Sequence, residues 1–326
     1  MLEQRLICFL KAVGAKKATP LQRIFVGVSG GVDSIVLAHA LVQTHPQCIL
    51  VHVHHHLQSA ADVWPDFVAE FARAHHVEYI VHHVETVPKA AESIEAFARQ
   101  ARYDFFASLL TSNTDALCLG HHQDDQVETF FLNLVRGAGL NGLTAMPESR
   151  PLGQGLLLRP LLACTRAELE MYAMQHQLSW VEDPSNQDQR FDRNFLRETI
   201  LPLFKQRWPH FQDQVGHTIQ HLQESRLILD AHLDVILANA GIQSDVLLHF
   251  PLAKIKALPP HYQKILLQHW FKKCTQLQLS RVHLERIIQD FLQTGPDAAP
   301  LFEFHGWSLR RNRHDLYLRR AHDNRL

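Results

Sequence analysis

Ile24-Phe25-Val26-Gly27-Val28-Ser29-Gly30-Gly31-Val32-Asp33-Ser34 decides how this chain is read. The first five residues form a continuous apolar run, the pattern of a strand buried on both faces. Ser29 to Ser34 follow at once and open a helical pattern, Asp33 to Gln43. Two glycines let the backbone approach an anion closely and adopt positive φ. The N–H groups of such a loop, and of the helix start behind it, point at phosphate oxygens. Ser29 and Ser34 add hydroxyl donors, so Ser29, Gly30, Gly31, Val32, Asp33 and Ser34 form the candidate phosphate site. Asp33 would repel a phosphate unless a cation lies between them, which points to Mg²⁺. The stretch is neither a Walker loop nor a G-x-G-x-x-G fingerprint. A tight turn capped by Ser29 would explain a lone Gly-Gly, but not the Ser-Gly-Gly-x-Asp-Ser order behind a strand.

Outward from this loop, strand patterns recur at Cys48–Val53, Glu78–Val84 and Asp115–Leu119. They alternate with helical patterns at Asp62–His75, Ala90–Leu110 and His122–Val135. This alternation predicts an α/β domain with a doubly wound parallel sheet. Such sheets bind ligands beyond the carboxyl ends of their strands, at the topological switch point. Met1 to Val13 has the spacing of an amphipathic helix (Leu2, Leu6, Phe9, Leu10, Val13), not of a leader peptide. Arg136 to Gly155, rich in Gly and Pro, reads as a loop. Thr165 caps a helix to Gln177 with Glu168 completing a capping box. Asp183-Pro184-Ser185-Asn186 is a turn signal, and Phe191–Lys205 reads as a helix interrupted by Pro202.

Beyond Trp208-Pro209 the pattern changes to helices at His217–Ala238, Lys264–Cys274 and Val282–Leu292. Short strands follow at Leu301–Phe304, Trp307–Arg310 and Leu316–Leu318. Two domains are expected: residues 1–210 as a nucleotide-binding catalytic domain, and 211–326 as a smaller, mostly helical α+β domain. No further C-terminal domain is expected.

The chain's 326 residues are 46% hydrophobic and 20% charged, which excludes wholesale disorder. Lys plus Arg (32) nearly balance Asp plus Glu (33), which excludes a globally basic coat. The five cysteines form no C-x-x-C pair, so neither a zinc ribbon nor a disulfide framework is indicated. No run approaches the roughly 20 apolar residues of a membrane span. A cytoplasmic protein without a membrane segment is expected. The sequence leaves the oligomeric state open, a dimer among the options.

The fourth strand leads into Gly120-His121-His122-Gln123-Asp124-Asp125-Gln126-Val127-Glu128-Thr129. Asp124 and Glu128 are four apart, and Asp125 and Glu128 three apart, so all three crowd one face of the first helical turns. Acids there suit the helix dipole, which accounts for one or two of them. Three acids and two histidines at the carboxyl edge of a parallel sheet point further. They suit Mg²⁺, a cationic substrate, or general-base work on an amine.

The phosphate loop resembles that of the N-type ATP pyrophosphatases. Further segments narrow the resemblance to the tRNA(Ile)-lysidine synthetase family. They are His121 to Thr129, Arg136-Gly137 through Gly142-Leu143 and Met146, and Arg159-Pro160-Leu161-Leu162 with Arg166 and Tyr172. Asp183 to Asn186, Phe191 to Arg197 and Leu201-Pro202 complete the set, in the family's order and spacing. The resemblance is strong from about Arg23 to Trp208 and weaker beyond. It implies ATP-dependent adenylation of the C2 oxygen of the wobble cytidine in a CAU-anticodon tRNA(Ile). The ε-amine of free L-lysine then attacks C2 and displaces AMP, giving lysidine. It implies ATP and Mg²⁺, with Asp33 on the metal and Ser29 to Ser34 on the phosphates. Asp124, Asp125 and Glu128 would receive the lysine ammonium or the metal, and Arg197 would neutralise charge developing on phosphate, with Asn194 and Arg193 positioning its segment.

Two features bear on the RNA partner. Arg190–Arg207 carries five basic residues against two acidic, a net +3, and His305–Leu326 six arginines against two aspartates, a net +4. Phe195, Trp208, Trp307 and Tyr317 are interleaved with them and offer stacking surfaces for unpaired bases.

One segment departs from the family pattern. The usual His-Val-Asn-His-Gly-Leu-Arg is here His52-Val53-His54-His55-His56-Leu57-Gln58. Adjacent histidines suggest Zn²⁺, but neighbouring strand residues point to opposite faces and no cysteine is near. The excess of histidine (24 in all) is therefore read as surface composition. Rival functions are a tRNA thiolase, an amidotransferase and a tRNA-binding protein without catalysis. The missing C-x-x-C pairs, the lack of an N-terminal Cys and the presence of Asp33, Asp124, Asp125, Glu128 and Arg197 argue against them in turn.

Overall fold

The computed structural model describes residues 2–17, 19–56, 62–85, 94–183, 188, 190–242, 248–295 and 298–320. Pro184 to Asn186 of the expected turn, residues 90–93 of the expected long helix, Leu57-Gln58, and the tail past Arg320 lie outside them. The chain divides into two compact units, Met1–Leu222 and Gln223–Leu326.

The first unit is built on β1 (Arg23–Gly27), β2 (Ile49–His54), β3 (Glu78–His83) and β4 (Asp115–Leu119). Helices α1 (Leu2–Lys17), α2 (Val32–Thr44), α3 (Trp64–Ala74) and α4 (Ile94–Leu109) accompany them. After β4 come α5 (Gln123–Val135), the single turn α6 (Leu140–Leu143), β5 (Ser149–Leu152), β6 (Gly155–Leu158) and α7 (Arg166–Gln175). The strand order is β3-β2-β1-β4-β6-β5. All neighbours are parallel except the β5–β6 hairpin.

Period-two alternation explains why β1 is central. Ile24, Val26 and Val28 turn to one face, into a core with Leu6 and Leu10 of α1, the buried side of α2, and Leu169 and Tyr172 of α7. Phe25 turns to the other, against Val51, Leu117, Leu157, the α4 side chain Phe106 and Leu110 just after it. With both faces covered, β1 has no polar position to offer, hence its uninterrupted apolar run.

The expected loop over Arg136–Gly155 is corrected here. It contains α6 and the hairpin strand β5, while β6 starts at Gly155 and joins the sheet beside β4 (Leu117↔Leu157). Pro151 is tolerated because β5 is the sheet's edge strand. Pro202 does not interrupt its helix. Helix α8 (Asp192–Phe195) runs through a π-helical turn, Leu196–Ile200, into α9 (Leu201–Arg207). The wider turn just ahead of the proline accommodates a ring that an α-helical ladder would clash with.

Helix α10 (Phe211–Asn239) starts in the first unit, where Val215 and Ile219 pack with Val127, Leu196 and Leu201. That small core seats α5 against the segment carrying Arg193 and Arg197. The second unit holds the rest of α10, β7 (His249–Pro251), α11 (Leu252–Lys256), α12 (Pro260–Thr275) and α13 (Arg281–Ile287). Strands β8 (Leu301–Phe304), β9 (Trp307–Arg311) and β10 (Asp315–Arg320) complete an antiparallel sheet, β7-β10-β9-β8. Its core centres on Trp270, Phe250, Phe271 and Phe291. No described helix is long and apolar enough to cross a membrane.

Candidate active site at the carboxyl ends of β1 and β4

The chain winds outward from β1 through β2 to β3, then returns to β4 on β1's other side. The two strands diverge in connectivity there, so their following loops open a crevice. The phosphate loop leaves β1 and the acidic helix α5 leaves β4, and both meet in it. Ser29, Asp33, His121 and Asp125 line a cleft of about 230 Å³, together with Arg102 and Tyr103 of α4.

The loop is braced from within. Gly30 takes φ +99°, and the Gly30 carbonyl accepts from the Val181 N–H at 2.9 Å. The Ser34 hydroxyl donates to the Gly31 carbonyl (2.9 Å) and accepts from the Ser29 N–H (3.1 Å). Ser34 is thus spent on loop shape. The Ser34 N–H also donates to the Gly31 carbonyl (3.1 Å), which leaves the Ser29 hydroxyl and the Val32 and Asp33 N–H groups at the start of α2 as the donors for an anion. Gly120 allows the close approach of the two loops: a Cβ there would lie 2.9 Å from the Asp33 carbonyl oxygen.

His122, 1% exposed, sits among three carboxylates. Its Nε2 lies 3.5 Å from both Asp33 and Asp125, and its Nδ1 3.4 Å from Asp124. Burial opposes its charge, but the contacts with Asp124, Asp33 and Asp125 outweigh it and push the pKa up to about 10. His122 is therefore an imidazolium that neutralises part of the acidic cluster. Burial alone would raise the Asp124 and Asp125 carboxyls; the His122 charge reverses this and holds both below the usual range. Asp124 also accepts from the Arg166 N–H at the start of α7 (3.0 Å) and from Gln212 (2.6 Å). Asp125 accepts from the His122 N–H (3.0 Å) and from Arg193 (3.1 Å). His121 has the opposite fate: burial pushes it down to about 3, so it stays neutral.

Stability should report the His122 charge. A pKa raised on folding contributes stability that is complete below the unfolded value of about 6.5 and is lost as pH climbs towards 10. The urea midpoint of the native chain is expected to fall between pH 6.5 and 10 more steeply than that of His122→Asn. Parallel curves would show that the imidazole is not charged.

Glu128, 1% exposed, has both carboxylate oxygens engaged by arginines. Arg193 Nε donates to Oε2 (2.6 Å), and Arg197 donates Nε to Oε1 (2.6 Å) and Nη2 to Oε2 (3.0 Å). The carboxylate holds two guanidinium groups side by side. Burial works against the Arg197 charge, but Glu128 outweighs it and raises the pKa. Asn194 turns away and donates to the Asp188 carbonyl. Gln126 pairs with both main-chain groups of Met146, tying the segment after α6 to α5.

The structure thus brings together Ser29, Gly31, Asp33, Asp124, Asp125, Glu128 and Arg197. Sequence reading did not single out the roles of His122, Gln212, Arg102 and Tyr103; only the two histidines ahead of the acids offered a signal. Asp33 suits a cation: its Oδ1 is buried and has no hydrogen-bond partner among the described residues. A hard carboxylate oxygen beside a phosphate cradle is the donor Mg²⁺ prefers.

A phosphate loop facing an acidic helix across the switch point of a mostly parallel sheet defines the PP-loop class, and the PP-loop domain family matches residues 3–204. A second family, the TilS substrate binding domain, matches residues 250–317. The chain is 41% identical over 304 residues to the tRNA(Ile)-lysidine synthase of Proteus mirabilis, covering 90% of this chain and 67% of that one. It is 39% identical to that of Actinobacillus pleuropneumoniae serotype 3, covering 92% and 70%. This chain belongs to the tRNA(Ile)-lysidine synthase family, and it spans about two thirds of the length of these relatives. Among solved structures, the U34-tRNA thiolase NcsA of Methanococcus maripaludis shares the fold, with a TM-score of 0.55, 17% identity, and coverage of 68% of this chain and 78% of that one.

Proposed function

We propose that this chain converts the wobble cytidine of a CAU-anticodon tRNA(Ile) to lysidine in the β1/β4 cleft. The observation that carries the reading is the convergence of the phosphate loop, the acidic helix and a paired-arginine clamp on one crevice. In the first step the C2 oxygen attacks the α-phosphorus of ATP and pyrophosphate leaves. Ser29 and the α2 N–H groups hold the departing phosphates, and Arg197, fixed by Glu128, offsets charge developing on them. Asp33 would hold Mg²⁺, which when bound screens the phosphates from the acidic cluster.

In the second step the lysine ε-nitrogen attacks C2 and AMP leaves. Asp125 lines the cleft and would hold the incoming ε-ammonium by its charge. The ammonium gives up one proton before attack to free its lone pair, and the nitrogen loses a second once the C–N bond has formed, both passing to solvent through the cleft. Glu128 is committed to its arginines, and Asp124 to Arg166 and Gln212, so both act by positioning.

The region from residue 211 onward would carry tRNA contacts, as its substrate-binding-domain match supports. Trp208 (55% exposed) and Phe195 (44%) offer open ring faces in the first unit. Arg311, counted in the basic tail, is buried and bonded to the Phe291 carbonyl, so it is not a phosphate contact. A reaction on tRNA fits a cytoplasmic enzyme. The test is pyrophosphate release from ATP: it should require both Mg²⁺ and the tRNA and proceed without lysine. Release without tRNA would refute C2 adenylation.

A further inference from the structure

We propose that His54, His56 and Asp62, with His83, bind one transition-metal ion of the zinc class. The site is separate from the nucleotide cleft and does not depend on the proposed reaction. His54 ends β2, and His56 follows two residues on, where the chain leaves the strand with positive φ. His83 is the β3 residue in register with His54. Asp62 precedes α3 and lies 3.2 Å from His54 Nε2. Ligand atoms of His54, His56 and Asp62 all fall within 4.8 Å of one another.

The spacing fits the ion. Zinc with ligands at about 2.0–2.1 Å in a tetrahedron has ligand–ligand edges of about 3.3 Å. The His54–Asp62 pair (3.2 Å) and the His56 Nε2–His83 Nδ1 pair (3.0 Å) both have that length. The His54 and His56 rings lie 4.0 Å apart between centroids. Nitrogen donors with a single carboxylate select Zn²⁺, Ni²⁺, Cu²⁺ or Co²⁺ over Mg²⁺.

The backbone makes the same point. His56 takes φ +53°, where the resembling family has glycine. Histidine is among the non-glycine residues that tolerate the left-handed region, at a modest cost that convergence on a shared ion would offset. A metal here would tie together β2, β3 and the segment entering α3. His52, on the same strand, hydrogen-bonds the Val28 carbonyl at the mouth of the phosphate loop (2.8 Å).

The experiment uses the full chain without an affinity tag, stripped by chelator and titrated with Zn²⁺ alone, then with Co²⁺. One equivalent should bind tightly, and a roughly 100-fold excess over the dissociation constant should raise the melting temperature by several degrees. Co²⁺ should give the visible absorption of a four-coordinate site. The double variant His54→Asn/His56→Gly should lose the tight equivalent and the melting shift. Asp62→Asn, at an exposed position, should weaken binding on its own and guards against misfolding of the double variant. Equal Zn²⁺ affinity in native and both variant chains, or uptake of several weak equivalents only, would overturn the proposal.

Discussion

Replacing Glu128 with alanine is expected to destabilise the first unit by about 2–4 kcal/mol and to slow pyrophosphate release at least tenfold. Breaking a buried charge pair typically costs about 3–5 kcal/mol, because the partner is left uncompensated. Here two partners are left, Arg193 and Arg197, with only Asp125 to share. They keep 35% and 28% of their exposure, so water screens part of the loss and brings the expected cost down to about 2–4 kcal/mol. Activity falls because Arg197 is no longer held. Glu128→Gln separates charge from packing: its amide NH₂ would face a guanidinium donor. It should resemble the alanine variant in urea denaturation, whereas native-like stability and turnover would show that Glu128 only fills space.

The second large effect separates catalysis from stability in the opposite sense. Asp33→Asn should lower tRNA-dependent pyrophosphate release on the order of 10²–10³-fold, the size of losing one transition-state electrostatic contact. Its stability should change little. The Asp33 carboxylate is 27% exposed, its contact with His122 is long at 3.5 Å, and Asp124 and Asp125 still hold the imidazolium. Unchanged release by Asp33→Asn at saturating Mg²⁺ would remove Asp33 from the phosphate chemistry.

What could be read from the sequence followed from burial. Parallel strands covered on both faces cannot alternate, so β1 and β4 show as plain apolar runs, and the glycines behind β1 mark the anion cradle. The β5–β6 hairpin escaped because each strand is four residues long and β5 carries Pro151 at an edge. The π-helical turn at Leu196–Ile200 leaves no signature except Pro202 itself. Within the site, three acids at helical spacing were visible, but their division of labour was not. Glu128 meets Arg193 and Arg197 across 65 and 69 residues of chain, which no local pattern encodes. The charge on His122 likewise depends on Asp33, far away in sequence. The histidine run at the end of β2 carries no clear role in the sequence, because register with β3 and the return of Asp62 are properties of the fold.

Transfer of label from lysine to tRNA tests the central claim most directly. A CAU-anticodon tRNA(Ile) transcript is incubated with the chain, ATP, Mg²⁺ and radiolabelled lysine. The account predicts stable label in the tRNA, absent when the wobble C is replaced and absent without ATP. Folded protein that binds the transcript and exchanges pyrophosphate into ATP, yet leaves the tRNA unlabelled, would contradict lysine as the nucleophile.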